Sequence, residues 1–349
     1  QYREIRFNSS MKSGKPSYFL VVFATLFAVC VVVLGAWTRL ADAGLGCPDW
    51  PGCYGFFLVP DTAAEIAQAE AAFPDAPFEA DKAWPEVIHR YFASTLGLII
   101  IFINVIAWKH RRDPEQPLKL PLFLLVLVIA QGLFGMWTVT LKLWPQVVTT
   151  HLLGGFATLS LLWLLVLRLN NRPWQQPNIP VRQWVKLRPL AMAAMILLIC
   201  QITLGGWTSS NYAALACPDL PTCQGRWIPP MDFANGFNVA QEIGPNYLGG
   251  QMDGESRVAI HMAHRIGAIL VTLFMGFLIV KLYLNAGGRE LLRLTHILLS
   301  LLVLQVSLGI SNIVFSLPLW VAVAHNAGGA LLLLTLVTLN YRLRKVSAF

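Results

Sequence analysis

The chain has 349 residues, 56% of them hydrophobic and only 13% charged, with a formal net charge of +8. A soluble domain carries about 25% charged residues, so the composition excludes an ordinary soluble protein and points to a membrane. The positive balance then reflects topology and anionic lipid headgroups, and no nucleic-acid partner is expected.

Apolar runs of the length that crosses a bilayer, about 17–25 residues, recur eight times along the chain. They are predicted near Tyr18–Arg39, Pro85–Trp108, Leu118–Leu141, Val147–Leu169, Pro189–Ser210, Val258–Leu284, Leu291–Phe315 and Leu319–Tyr341. The first is expected to be a span, being too long for a cleaved signal peptide. Between the first two runs, Ala63–Phe73 predicts a short surface helix. Basic residues cluster on alternate connections. Arg3, Arg6, Lys12 and Lys15 precede the first run, and Lys109, Arg111, Arg112 and Lys119 follow the second. Arg168, Arg172, Arg182, Lys186 and Arg188 follow the fourth, Lys281, Arg289 and Arg293 the sixth, and Arg342, Arg344 and Lys345 the last. The positive-inside rule therefore predicts cytoplasmic termini, with both cysteine motifs on the outer side. Trp84, Trp144, Trp227 and Trp320 are expected as aromatic anchors at the opposite, outer interface. Cys30 and Cys200, within spans, are expected in the core.

The chain is written twice. LGAWT at Leu34–Thr38 returns as LGGWT at Leu204–Thr208, and CPDWPGC at Cys47–Cys53 as CPDLPTC at Cys217–Cys223. IHR at Ile88–Arg90 matches AHR at Ala263–Arg265, and HLLGG at His151–Gly155 matches HNAGG at His325–Gly329. The predicted fold is an all-α integral membrane protein of eight transmembrane helices in two pseudo-symmetric four-helix bundles. The halves are 1–169 and 189–349, joined by a cytoplasmic linker, 170–188, which contains Pro173, Pro177 and Pro180. An even number of spans per half gives both halves the same orientation. Gln131, Gln201 and Gln305 each precede a glycine (Gly135, Gly205, Gly309) by four positions, whereas Val31 and Gly35 keep only the glycine. Close helix packing and a cofactor-facing role both fit that pattern.

His89, His151, His264 and His325 lie at matched depth near the outer ends of the second, fourth, sixth and eighth spans. An ionisable residue inside a span is costly and marks function. Two facing imidazoles per bundle, without obvious carboxylate or thiolate partners, suit haem iron better than zinc. Gly154, Gly267 and Gly328, three residues after three of these histidines, share a face with them and are expected to clear room for a macrocycle edge; Phe92 breaks the pattern at His89. Arg90 and Arg265 are candidates for propionate contacts, with interfacial snorkelling as the alternative. The halves differ beside the first histidine of each pair: Glu86 stands three residues before His89, where His261 precedes His264. Glu86 is the candidate catalytic acid, with a helix-cap role after Pro85 as the structural alternative. His110 and His296 are assigned no role.

Together GLGCPDWPGC, ExxHR at Glu86–Arg90, HLLGG, AHR and HNAGG resemble the bacterial haem A synthases across essentially all eight spans. The resemblance implies oxidation of the C8 methyl of haem O to a formyl group by successive hydroxylations, giving haem A for cytochrome oxidase. It implies a haem b cofactor on His264 and His325, substrate haem O on His89 and His151, and Glu86 as the family's glutamate. Haem O synthase would be the supplier, the electron donor is unknown, and a homo-oligomer is compatible. A dihaem electron-transfer cytochrome and a non-catalytic haem carrier are the alternatives. Cys47–Cys53 and Cys217–Cys223 lie in oxidising outer loops, where disulfides persist. A structural clip is the first reading, redox participation the second, and metal binding the least favoured.

Overall fold

The computed structural model describes residues 17–170, 181–285 and 288–345, which form ten helices. Eight are long and apolar enough to cross a membrane: α1 Tyr18–Leu40, α3 Ala80–Lys109, α4 Lys119–Thr140, α5 Pro145–Asn170, α6 Val181–Ser210, α8 Gly254–Leu284, α9 Arg289–Val314 and α10 Leu319–Lys345. Two short helices, α2 Ala63–Ala72 and α7 Phe233–Gly236, lie in the loops at one end. A helix satisfies its own backbone in hydrocarbon, which is why apolar runs of this length become helices there. Large side chains such as Phe102 (62% exposed) and Leu273 (67%) point outward at mid-helix. Water would penalise that surface and lipid does not.

The helices close two rings. In the first, α1 packs on α3 and α5, and α4 packs on α3 and α5; in the second, α6 packs on α8 and α10, and α9 packs on α8 and α10. The rings meet along a seam of α1 and α5 against α6 and α10. Across it, Trp163 Nε1 donates to Thr338 Oγ1 at 2.7 Å, and the Thr149 and Ser210 hydroxyls pair at 3.2 Å. At the loop end, Tyr247 N donates to Lys142 O at 3.0 Å, and Trp144 Nε1 donates to Gln241 O at 3.1 Å. The long second-half loop thus grips the α4–α5 corner. Arg39 answers from the first half: its guanidinium donates to Ser209 O and lies 4.3 Å from the Tyr212 ring centroid.

Most spans end within a few residues of their expected bounds, with three instructive differences. Helix α3 begins at Ala80, behind the N-cap residue Glu79, so Pro85 sits inside the helix and Glu86 is not in its first turn. The helix-cap alternative for Glu86 therefore falls. Helix α6 begins at Val181, so 181–188 of the expected linker are helical. Trp184 and Leu187, three apart on one face, bury there and hold that turn in the core. Pro173, Pro177, Pro180 and the basic residues Arg3, Arg6, Lys12, Lys15 and Arg172 lie outside the described residues. Cys30 and Cys200, expected in the core, are exposed at mid-helix. Lipid tails are as apolar as the protein interior, so a cysteine's apolar character does not fix which face it takes.

Candidate functional site

The two cysteine motifs fold alike. Cys47–Cys53 and Cys217–Cys223 are disulfides, and each loop contains a cis X-Pro bond, at Trp50–Pro51 and Leu220–Pro221. The spacing that both copies share also places an aspartate. Asp49 accepts the amides of Tyr54 at 2.7 Å and Gly55 at 2.9 Å; Asp219 accepts those of Gln224 at 2.6 Å and Gly225 at 3.0 Å. The amide-bearing residues turn through positive φ, +54° at both Tyr54 and Gln224, so the carboxylate closes a tight turn just past the disulfide. Asp219 gains a further donor, the Thr222 hydroxyl, where the first loop has Gly52. These donors pull the Asp219 carboxyl down to about 2.

Each loop is bolted to the helix that carries the following histidine. Cys47 N donates to Glu86 Oε2 at 2.9 Å; Cys217 N donates to His261 Nδ1 at 3.2 Å. Glu86 and His261, which differ between the halves, therefore occupy the same structural place. Arg90 donates to Gly52 O at 2.5 Å and Asp49 O at 3.1 Å, and pairs with Glu86 at 2.5 Å. Arg265 donates to Cys217 O at 2.7 Å, Thr222 O at 2.8 Å and Asp219 O at 2.9 Å. Both guanidinium groups tie down a loop rather than snorkelling. The buried Nε of Arg265 has no hydrogen-bond partner among the described residues.

One turn below, the histidines meet. His89 from α3 and His151 from α5 hold their ring centroids 6.5 Å apart with planes at 86°. Two imidazoles sharing one metal ion through bonds of about 2 Å would place their centroids roughly 6 Å apart. His264 on α8 and His325 on α10 hold the corresponding positions in the second ring. The Nδ1 atoms of His89, His151 and His325 are buried without hydrogen-bond partners among the described residues. A buried polar atom left unpaired is costly, and three such rings among the four histidines fit an axial-ligand role.

Glycines seat the rings, in an arrangement the sequence pattern only half revealed. A Cβ added at Gly35 would lie 2.8 Å from His89 Cε1; the distances are 3.5 Å from Gly135 to His151, 3.3 Å from Gly205 to His264 and 3.1 Å from Gly309 to His325. Each ring thus sets its Cε1 against a glycine of a neighbouring helix. The other glycine set departs from expectation: a Cβ at Gly154, Gly267 or Gly328 would collide with the side chain of Gln131, Gln201 or Gln305. Those glycines make room for an amide from the facing helix, not for a macrocycle edge. Gln201 Nε2 reaches His264 Nδ1 at 3.1 Å and its carbonyl at 3.0 Å, and Gln305 Nε2 lies 3.3 Å from His325 Nε2. At His89 the amide is replaced by Val31, and Phe92 stacks on Phe27 with centroids 5.2 Å apart.

The COX15-CtaA family model, described as cytochrome oxidase assembly protein, matches residues 18–337. A protein of Shewanella oneidensis named "Heme A synthase" is 49% identical over 323 residues, covering 93% of this chain and 95% of that one. Proteins of the same name from Rhizorhabdus wittichii (28% identical, 94% of each chain) and Halalkalibacterium halodurans (27%, 91% of this chain and 94% of that one) are also similar. A match spanning all eight membrane helices leaves one assignment: the chain belongs to the COX15-CtaA family of cytochrome oxidase assembly proteins.

Proposed function

We propose that this multi-pass membrane protein is a haem A synthase, an oxidoreductase that converts haem O to haem A for cytochrome oxidase. Family membership and the name shared by its relatives support the activity. The observation that carries the division of labour is the asymmetry one turn above the histidines: a carboxylate at Glu86, an imidazole at His261. His264 and His325 would hold a haem b, and His89 and His151 the substrate haem O. Bound on the second pair, haem b supplies one-electron transfer.

The residues of this chain divide the remaining work. The Gly205 and Gly309 seats and the Gln201 and Gln305 amides hold the second pair of rings in fixed orientations, as a resident group requires. At the first pair no side-chain amide is hydrogen-bonded to either ring among the described residues, a difference that suits a substrate that must come and go. Glu86 sits between the Cys47 amide and Arg90, buried at 4% exposure. It can accept or return a proton beside the substrate while Arg90 offsets its charge. The disulfide loops close the outer mouth of each ring and restrict water. Basic residues gather at the opposite end, including Lys109, Arg111 and Arg188. By the positive-inside rule that end is cytoplasmic, which puts the haem sites toward the periplasm of a bacterial inner membrane.

Extraction of haems from cells that express Glu86→Gln tests the acid. Glutamine keeps an acceptor for Cys47 N but cannot move a proton. Accumulated haem O or its hydroxylated intermediate is expected; an unchanged yield of haem A would reduce Glu86 to a loop clip.

A further inference from the structure

The seam between the rings has a second end. There, at the end away from the disulfide loops, a cavity of about 700 Å³ opens between α5, α6 and α10 beside the α3–α4 connection. Its mouth carries Arg168 and Arg344, with Glu115 on the same lining, leaving one positive charge in excess. Its depth is apolar and adaptable: Leu161, Leu164, Met192 and Met195 line it. On α5 the lining runs from Ser160 to Arg168, a depth of about 12 Å at 1.5 Å per residue. The Ser160 hydroxyl oxygen is buried there without a partner among the described residues. A cation-rimmed mouth over a narrow apolar slot suits a molecule with an anionic head and a hydrocarbon tail.

We propose that this cavity binds one anionic phospholipid, with its phosphate between Arg168 and Arg344 and one acyl chain laid along the slot. Basic pockets between spans on the positively charged side take up such headgroups. The site lies where the two rings meet, so a seated chain would fill the seam.

Native mass spectrometry of the delipidated full-length protein tests this, with phosphatidylglycerol, phosphatidylcholine, oleate and inorganic phosphate as separate probes. Phosphatidylglycerol is expected to be retained in one copy, and its affinity is expected to fall at least about tenfold in R168Q/R344Q. Phosphatidylcholine should bind more weakly by a similar factor, and millimolar inorganic phosphate should not displace the lipid. Equal retention of the two phospholipids, retention unchanged in the double variant, or displacement by phosphate alone would overturn the proposal, as would oleate binding as tightly as phosphatidylglycerol. If the double variant fails to fold, Met192→Trp provides the same test by filling the slot: lipid retention is expected to disappear, and undiminished retention would contradict the site.

Discussion

At Cys47 the backbone amide bonds to a carboxylate; at Cys217, in the same place, it bonds to an imidazole. Around that exchange the halves share their disulfide, their aspartate-closed turn, their loop-gripping arginine and their glycine seats. They part again beside the rings, where Gln201 reaches His264 but Val31 faces the His89 side. One scaffold therefore supports a pair of imidazoles reached by side-chain amides and, among the described residues, a pair without them. The difference rests on a few side chains, not on topology. Symmetric parts hold the rings at their depth, and asymmetric parts decide what happens there.

The glycine seats offer the harshest way to break this comparison. Gly35→Ala drives a methyl to 2.8 Å from His89 Cε1, a contact that cannot stand without movement, whereas the Gly135→Ala methyl meets His151 at an ordinary 3.5 Å. Gly35→Ala is expected to cost about 1–3 kcal/mol through overpacking, and Gly135→Ala to stay within about 0.5 kcal/mol. Thermal unfolding of the purified variants reads both. Equal losses would show that the rings are not seated as described.

A smaller effect separates the amides. Gln201→Ala removes a hydrogen bond to His264 worth about 1 kcal/mol, so haem is expected to leave the second site about fivefold faster. Val31→Ala removes no hydrogen bond at the first site and should leave haem exchange there within about twofold. Transfer of haem to an apoprotein scavenger measures both rates. A faster loss in Val31→Ala than in Gln201→Ala would reverse the assignment of the fixed pair.

The smallest effect lies in the loops. Asp219 holds its turn through a carboxyl pulled down to about 2, so the stabilisation is present above the ordinary aspartate range near about 4 and is lost only as pH falls through the folded value. Amide exchange at Gln224 and Gly225 is expected to stay protected on acidification from neutral pH to about 4. Protection that collapses near pH 4 would mean that the carboxylate is not engaged.

Much of this was legible in the sequence. Eight apolar runs gave eight spans because hydrocarbon leaves the backbone no alternative to the helix, and the repeat located the histidines, the disulfides and the Glu86–His261 exchange. The rest depended on which faces meet. Gln131, Gln201 and Gln305 stood out by spacing, but spacing along α4, α6 and α9 does not say that their amides reach the glycines after His151, His264 and His325. Arg90 and Arg265 were visible as cations, while their acceptors are backbone carbonyls that no sequence pattern marks. The aspartate inside CPDWPGC was quoted among the cysteines and prolines, yet its bonds to the amides of Tyr54 and Gly55 needed the turn to be built. The start of α6 at Val181 was hidden by its polar residues, since only Trp184 and Leu187 betray the buried face.

The central claim is that opposed histidines clasp one haem in each ring. Titrating haem into the haem-free protein and counting equivalents from the Soret band tests it most directly. The native chain is expected to bind two equivalents, and His89→Ala/His151→Ala and His264→Ala/His325→Ala one each. A single equivalent in the native chain, or two retained by either double variant, would contradict it.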